Sequence, residues 1–207
     1  MHINNDHINY IAFHATQIHD NSLYHGRLGI ILALCGHGML NTDKRICNFV
    51  RNLIQASTDG YYDGRIGIEN GLAGYGLAFT LLYKVGMLNE NLNEVLFDID
   101  KKIMSYDLKR MDDFSFREGL SGVWYYVKMR MSSGQYCWSL DRDYVNELGN
   151  ITLSNANRGE LNETLITSIQ KPSWGLADYM GNEVEIDNGL SYFVIQNSYE
   201  EIFSGKK

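Results

Sequence analysis

One short module recurs four times along this chain, and it limits the fold more than any other feature. Across residues 66–88 a Gly-rich turn, Glu69-Asn70-Gly71-Leu72-Ala73-Gly74, runs into a segment whose Leu72, Tyr75, Leu77, Phe79, Leu81, Leu82 and Val85 cover most sides of a helix. A helix that is apolar nearly all round belongs inside a protein rather than on its surface. The same turn-to-helix transition starts at Leu23-Tyr24-His25-Gly26-Arg27-Leu28-Gly29, at Arg117-Glu118-Gly119-Leu120-Ser121-Gly122 and at Asp187-Asn188-Gly189-Leu190-Ser191, where Tyr192 replaces the second glycine. Gly71 follows Gly26 by 45 residues, Gly119 follows Gly71 by 48 and Gly189 follows Gly119 by 70. Repeats at such a period mark an architecture made by stacking one supersecondary unit.

Amphipathic segments alternate with these modules. In residues 43–55, Ile46, Phe49, Val50, Leu53 and Ile54 form one stripe; in residues 91–106, Leu92, Val95, Leu96, Ile99 and Ile103 form another. A first helix is predicted over residues 7–18 with Asp6 as its cap. The first module's helix is expected to break at Cys35-Gly36-His37-Gly38, the third to span 120–131 and the fourth to end near Ile202. Short helices are predicted within 141–148 and 159–170. No segment shows strand alternation with hairpin turns. Twenty glycines against one proline favour helices joined by Gly-containing turns. The expected fold is all-α: a partial α/α barrel (toroid) of about four inner/outer helix pairs, as a single domain over residues 1–207.

A net charge of −7 without a dense Lys/Arg patch argues against nucleic acid as a partner. No apolar run approaches the ~18 residues needed to cross a bilayer, so no membrane partner is expected. The first residues lack the basic start and apolar core of a secretion signal, which predicts a cytoplasmic protein. Three cysteines without regular spacing do not make a disulfide framework.

The modules resemble those of the lanthionine synthetase C-like family, in Leu23 to Gly29, in Asn70-Gly71-Leu72-Ala73-Gly74-Tyr75-Gly76, in Glu118 to Gly122 and more loosely in Asp187 to Leu190. The resemblance implies an α/α toroid whose inner helices begin at Gly-containing motifs. The family's full barrel has more helix pairs, so the chain is expected to be a short or open version, or to complete its ring with another chain. Catalytic members bind zinc through two cysteines and a histidine, in a Trp-Cys-x-Gly segment and a Cys-His-Gly segment. Here the latter position reads Tyr24-His25-Gly26, and Cys137-Trp138 has the pair reversed. The resemblance therefore implies a zinc-free, non-catalytic or accessory protein of ribosomal-peptide (lantibiotic-type) maturation, which binds a peptide or a peptide-modifying enzyme. An open barrel edge would favour a homodimer. Two alternatives stay open: an active zinc-dependent peptide cyclase, adding a cysteine thiol to a dehydrated residue, and a glycoside-active α/α barrel using paired carboxylates.

The candidate site residues follow. Gly26, Gly71, Gly74, Gly119 and Gly122 are first of all packing and turn devices. If the inner helices converge, their N-terminal amides would also face a shared cavity and could bind an anionic group. His25 stands at the mouth of an inner helix as a candidate base or ligand. Glu69, Glu118 and Asp187 each stand just before a module glycine, at one expected end of the barrel. There they either favour the helix dipole or form an acid pair. Tyr61 and Tyr62, in the loop before the second module, are candidate contact residues. Cys35, His37 and Cys47 are the nearest Cys/His cluster for zinc, with buried thiols as the plainer reading.

Overall fold

The computed structural model describes residues 3–58, 64–134, 136–179, 181 and 183–204. Among these residues the helices run α1 (Asn5–Ala15), α2 (Arg27–Leu40), α3 (Lys44–Ala56), α4 (Leu72–Lys84), α5 (Leu92–Val95), α6 (Phe97–Met104), α7 (Leu120–Met131), α8 (Arg142–Asn155), α9 (Arg158–Asn162), α10 (Leu165–Ser168) and α11 (Leu190–Ile202). Two 3₁₀ turns, at Leu108–Arg110 and Leu176–Asp178, complete the set, and no described residue lies in a strand. No described helix is long and apolar enough to cross a membrane.

The four modules become the inner helices α2, α4, α7 and α11. Each is N-capped by the module glycine, at nearly the same backbone angles: φ/ψ of −119/−169° at Gly26, −118/−169° at Gly71, −103/−168° at Gly119 and −112/−178° at Gly189. Any residue can adopt these extended angles; what requires glycine is space. A Cβ at Gly26 would lie 2.5 Å from the Ser22 amide, and one at Gly71 2.7 Å from the Gly67 amide and carbonyl. At the second glycine of the pair, Gly29, Gly74 and Gly122 each receive a backbone carbonyl from six residues earlier (Leu23, Ile68 and Phe116), too close for any side chain.

The preceding loop folds back to bring those carbonyls there. The first amide of each inner helix donates to the residue seven positions before it: Arg27 to Asp20 (2.8 Å), Leu72 to Arg65 (3.1 Å), Leu120 to Asp113 (3.0 Å) and Leu190 to Glu183 (2.9 Å). Second-position amides also donate seven back, from Ala73 to Ile66 and from Ser191 to Val184. At Gly26, Gly71, Gly119 and Gly189 the loop itself therefore takes up the first free amide of the helix, which leaves fewer donors there for an anion.

Around the axis, α2 packs on both α4 and α11, and α4 packs on α7. The fourth side is bridged by a Tyr125–Tyr199 hydrogen bond between α7 and α11. The outer helices α3, α6 and α8 cover α2, α4 and α7, and α1 lies over α2 and α11. A buried polar knot ties α5 and α6 to α7: Tyr126 donates to Asp100 (2.5 Å), Ser139 also donates to Asp100, and Arg130 donates to Asn93 (2.7 Å). The result is an all-α partial barrel with an inner and an outer layer, built on one apolar cluster from Ile8 to Phe203.

Several predicted boundaries move for physical reasons. The cap of α1 is Asn4, not Asp6; Asn4 accepts from the His7 amide (3.0 Å) while the His7 ring accepts from the Asn4 amide (3.3 Å). α2 runs through Cys35-Gly36-His37-Gly38 without a break. There Gly36 makes room for the Ser198 side chain of α11, and a Cβ at Gly38 would lie 3.0 Å from Cys47 Sγ on α3. These glycines serve close helix packing within an intact helix. The 91–106 segment divides at Leu96, whose ψ of 5° departs from helical angles, into α5 and α6. The 159–170 region likewise forms two short helices, α9 and α10.

Candidate functional site

The fold-back of each pre-helix loop places the residue two before the glycine at the common end of the inner helices. Those four residues are Tyr24, Glu69, Arg117 and Asp187. Backbone bonds stitch them side by side: the Tyr24 amide donates to Glu69 O (3.2 Å), the Glu69 amide to Arg117 O (2.9 Å) and the Asp187 amide to Tyr24 O (3.3 Å).

Their side chains then meet. Arg117 Nε donates to Glu69 Oε2 at 2.5 Å, and Arg117 Nη2 donates to Asp187 Oδ2 at 2.8 Å. The guanidinium lies over the Tyr24 ring, 4.6 Å from its centroid, an arrangement in which the ring face attracts the cation. The Tyr24 hydroxyl bonds Ser168 in the core, and burial raises its pKa. His25, one residue nearer the helix, sets Nε2 2.7 Å from Glu69 Oε1 and 3.9 Å from Asp187 Oδ2. The remaining Asp187 oxygen accepts from the Gln170 amide at 2.6 Å.

The electrostatics follow from these contacts. Burial would raise the Glu69 carboxyl, but hydrogen bonds from Arg117 and His25, with the charge of Arg117, hold it below the usual carboxylate range. Arg117 is driven the opposite way: burial would lower it, yet the two carboxylates hold its proton more firmly. An ionised carboxylate can only accept, so the His25 nitrogen facing Glu69 carries a proton. Exposure falls from His25 (42%) through Arg117 (22%) and Glu69 (17%) to Asp187 (2%), so the cluster is a half-open bowl with the imidazole at its lip.

The candidates separate on this geometry. His25, Glu69 and Asp187 come together from three modules. Glu118 is held one position nearer its glycine than Glu69 or Asp187, and it stays outside the clamp; burial and then the Glu69 charge raise its carboxyl. Tyr61 and Tyr62 lie outside the described residues. Arg117 is the central residue that the sequence reading passed over. The available signal was its register, two before the glycine, shared with Glu69 and Asp187.

A family model described as lanthionine synthetase C-like protein matches residues 17–181. The chain belongs to the lanthionine synthetase C-like family. No curated protein and no solved structure matches it at a significant level. The matched segment contains the first three modules of this lanthionine synthetase C-like protein; Asp187 and α11 lie beyond it.

The zinc of catalytic lanthionine synthetase C-like members does not fit the residues present. His25 is at the mouth, but Tyr24 precedes it in place of a cysteine and sends its hydroxyl into the core. Cys35 is buried within α2, its thiol pushed up to about 12, chiefly by burial, and directed at Met39 Sδ (3.8 Å). His37 bonds Asn41 on the same helix. Cys137 packs against Arg130. Among the described residues, the one group of three or more His, Cys, Asp or Glu side chains placed to share an ion is His25, Glu69 and Asp187, whose donor atoms lie within 4.8 Å of one another. It holds no thiolate, and Arg117 is already bonded to both its acids.

Proposed function

We propose that this lanthionine synthetase C-like protein serves ribosomal-peptide maturation as a binding rather than ring-forming member, holding a positively charged stretch of a precursor peptide at the end where the four modules meet. The observation that carries this reading is the Arg117 bridge. It offsets one of the two negative charges of Glu69 and Asp187 from within the chain and leaves the cluster acidic, where a thiolate–zinc centre would be needed to activate a cysteine.

The charge distribution supports a cationic partner. The pre-helix loops, residues 19–25, 64–70, 112–118 and 183–188, carry eight acids (Asp20, Glu69, Asp112, Asp113, Glu118, Glu183, Glu185, Asp187) against Arg65 and Arg117. That is −6 of a net −7, carried by the loops that lead into the four inner helices. Such a field concentrates and steers a positively charged ligand, more weakly as salt screens it.

Calorimetric titration with a dehydrated, Lys-rich precursor peptide tests the reading. Binding is expected, weakening as salt rises, with Glu185→Gln reducing affinity severalfold. In parallel the peptide's cysteine thiols should remain open to alkylation after incubation with protein and zinc. Loss of those thiols would establish ring formation and overturn the proposal; salt-independent binding would remove the electrostatic part.

One observation favours a second reading. Glu69 is pushed down and Glu118 up, the division expected of a general base and a general acid in glycoside hydrolysis. Both Glu69 oxygens are engaged, however, by His25 and Arg117. Turnover of an aryl glycoside, abolished by Glu118→Gln, would favour this reading.

A further inference from the structure

We propose that Arg117 is a built-in substitute for a metal ion: its guanidinium fills a divalent-cation site formed by His25 Nε2, Glu69 Oε1 and Asp187 Oδ2, and removing it uncovers that site. The inference concerns the cluster alone and stands whether or not a peptide binds there.

Three features carry it. His25, Glu69 and Asp187 come from three different loops and each offers one donor atom within 4.8 Å of the others, with His25 Nε2 2.7 Å from Glu69 Oε1 and 3.9 Å from Asp187 Oδ2. Tetrahedral donors ~2.0–2.1 Å from zinc stand roughly 3.3 Å apart. The His25–Glu69 separation would therefore open and the His25–Asp187 one close by about half an ångström each, and the two carboxylates, within 4.8 Å of each other, would draw together into the gap that the guanidinium leaves. Next, one imidazole, whose Nε2 releases its proton to solvent as an ion binds, and two carboxylates form a donor set that suits Zn²⁺, Co²⁺ or Mn²⁺ and leaves positions open for water. Finally, the acids are held from behind: Asp187 by the Gln170 amide, and the loop backbones by one another. Support of this kind around the ligands keeps them oriented for an ion. Arg117 reaches both acids with one of the two positive charges that a divalent ion would supply, so an incoming ion must displace a cation bonded at 2.5 and 2.8 Å.

Cobalt(II) chloride titrated into metal-free protein, followed by visible d–d absorption, tests this. Arg117→Met is expected to bind one ion per chain at least about tenfold more tightly than the unaltered protein, and His25→Ala in that background should abolish the spectrum. Equal affinity with and without Arg117, or a folded Arg117→Met variant that binds nothing, would overturn the proposal. If loss of the guanidinium loosens the fold, thermal unfolding with and without zinc chloride decides. An ion that binds only the folded state raises the midpoint, so a rise that disappears with His25→Ala supports the site and no rise overturns it.

Discussion

Glu118 and Glu69 show how one residue of register changes the work a carboxylate does. Glu69, two before its glycine, faces Arg117 and is stabilised as an anion. Glu118, one before its glycine, is half-buried beside the Glu69 charge, and the folded state holds its proton more tightly than the unfolded chain does. Its contribution to stability is therefore complete below the unfolded value of about 4.3 and is lost as pH rises through the raised folded value. At neutral pH ionised Glu118 is a cost, and Glu118→Gln should raise the unfolding midpoint by about 1–3 °C, with no gain near pH 4. Equal gains at both pH values would trace the effect to packing instead of charge. Tyr24, Arg117 and Asp187 became legible as a group only once the loop geometry showed that the position two before the glycine points to the axis. Sequence separation gives no sign of such convergence.

At the scale of the helices, what the sequence reveals best is whatever repeats locally. The apolar runs after Gly26, Gly71, Gly119 and Gly189 mark all four inner helices, and the stripe in residues 43–55 marks α3 almost to the residue, because periodicity is a property of neighbouring residues. What it hides are contacts between distant segments. Gly36 and Gly38 read as breakers in isolation, yet they serve Ser198 and Cys47, which lie on other helices. The glycines that matter most can be separated by experiment. Gly74→Ala would force a Cβ onto the Ile68 carbonyl, which belongs to a loop already bonded to α4 and cannot retreat; the expected loss is about 2–3 kcal/mol. Gly159→Ala, on exposed α9, meets only the Asn157 side chain and should gain about 0.5–1 kcal/mol from helix propensity. Urea unfolding of both variants checks the pair, and similar effects at the two positions would show that the fold-back loop is softer than argued.

For the molecule as a whole, the inner helices pack in the order α11, α2, α4, α7, and the side between α7 and α11 is spanned by the Tyr125–Tyr199 bond rather than by close helix packing. That side is the place where a second copy would pair. Light scattering across micromolar concentrations decides the point: a mass that stays near 23.7 kDa means that the Tyr125–Tyr199 side is self-contained, and a doubling with concentration means that it is shared. The all-α partial barrel was readable from alternating buried and amphipathic segments, whereas the order of packing around the axis was not, since nothing local records which inner helix touches which.

The bond from the Asp187 amide to the Tyr24 carbonyl joins groups 163 positions apart in the chain. Contacts of such long sequence separation form slowly, because the intervening segment must first be brought into place. A nascent chain leaving the ribosome therefore displays the first three modules, with Arg117 bonded to Glu69 alone, for as long as the last module is still being made. During that interval the acidic end is one carboxylate short, His25 lacks its second neighbour, and the wall contributed by the fourth module is missing. The bowl therefore exists only in a chain that carries all four modules.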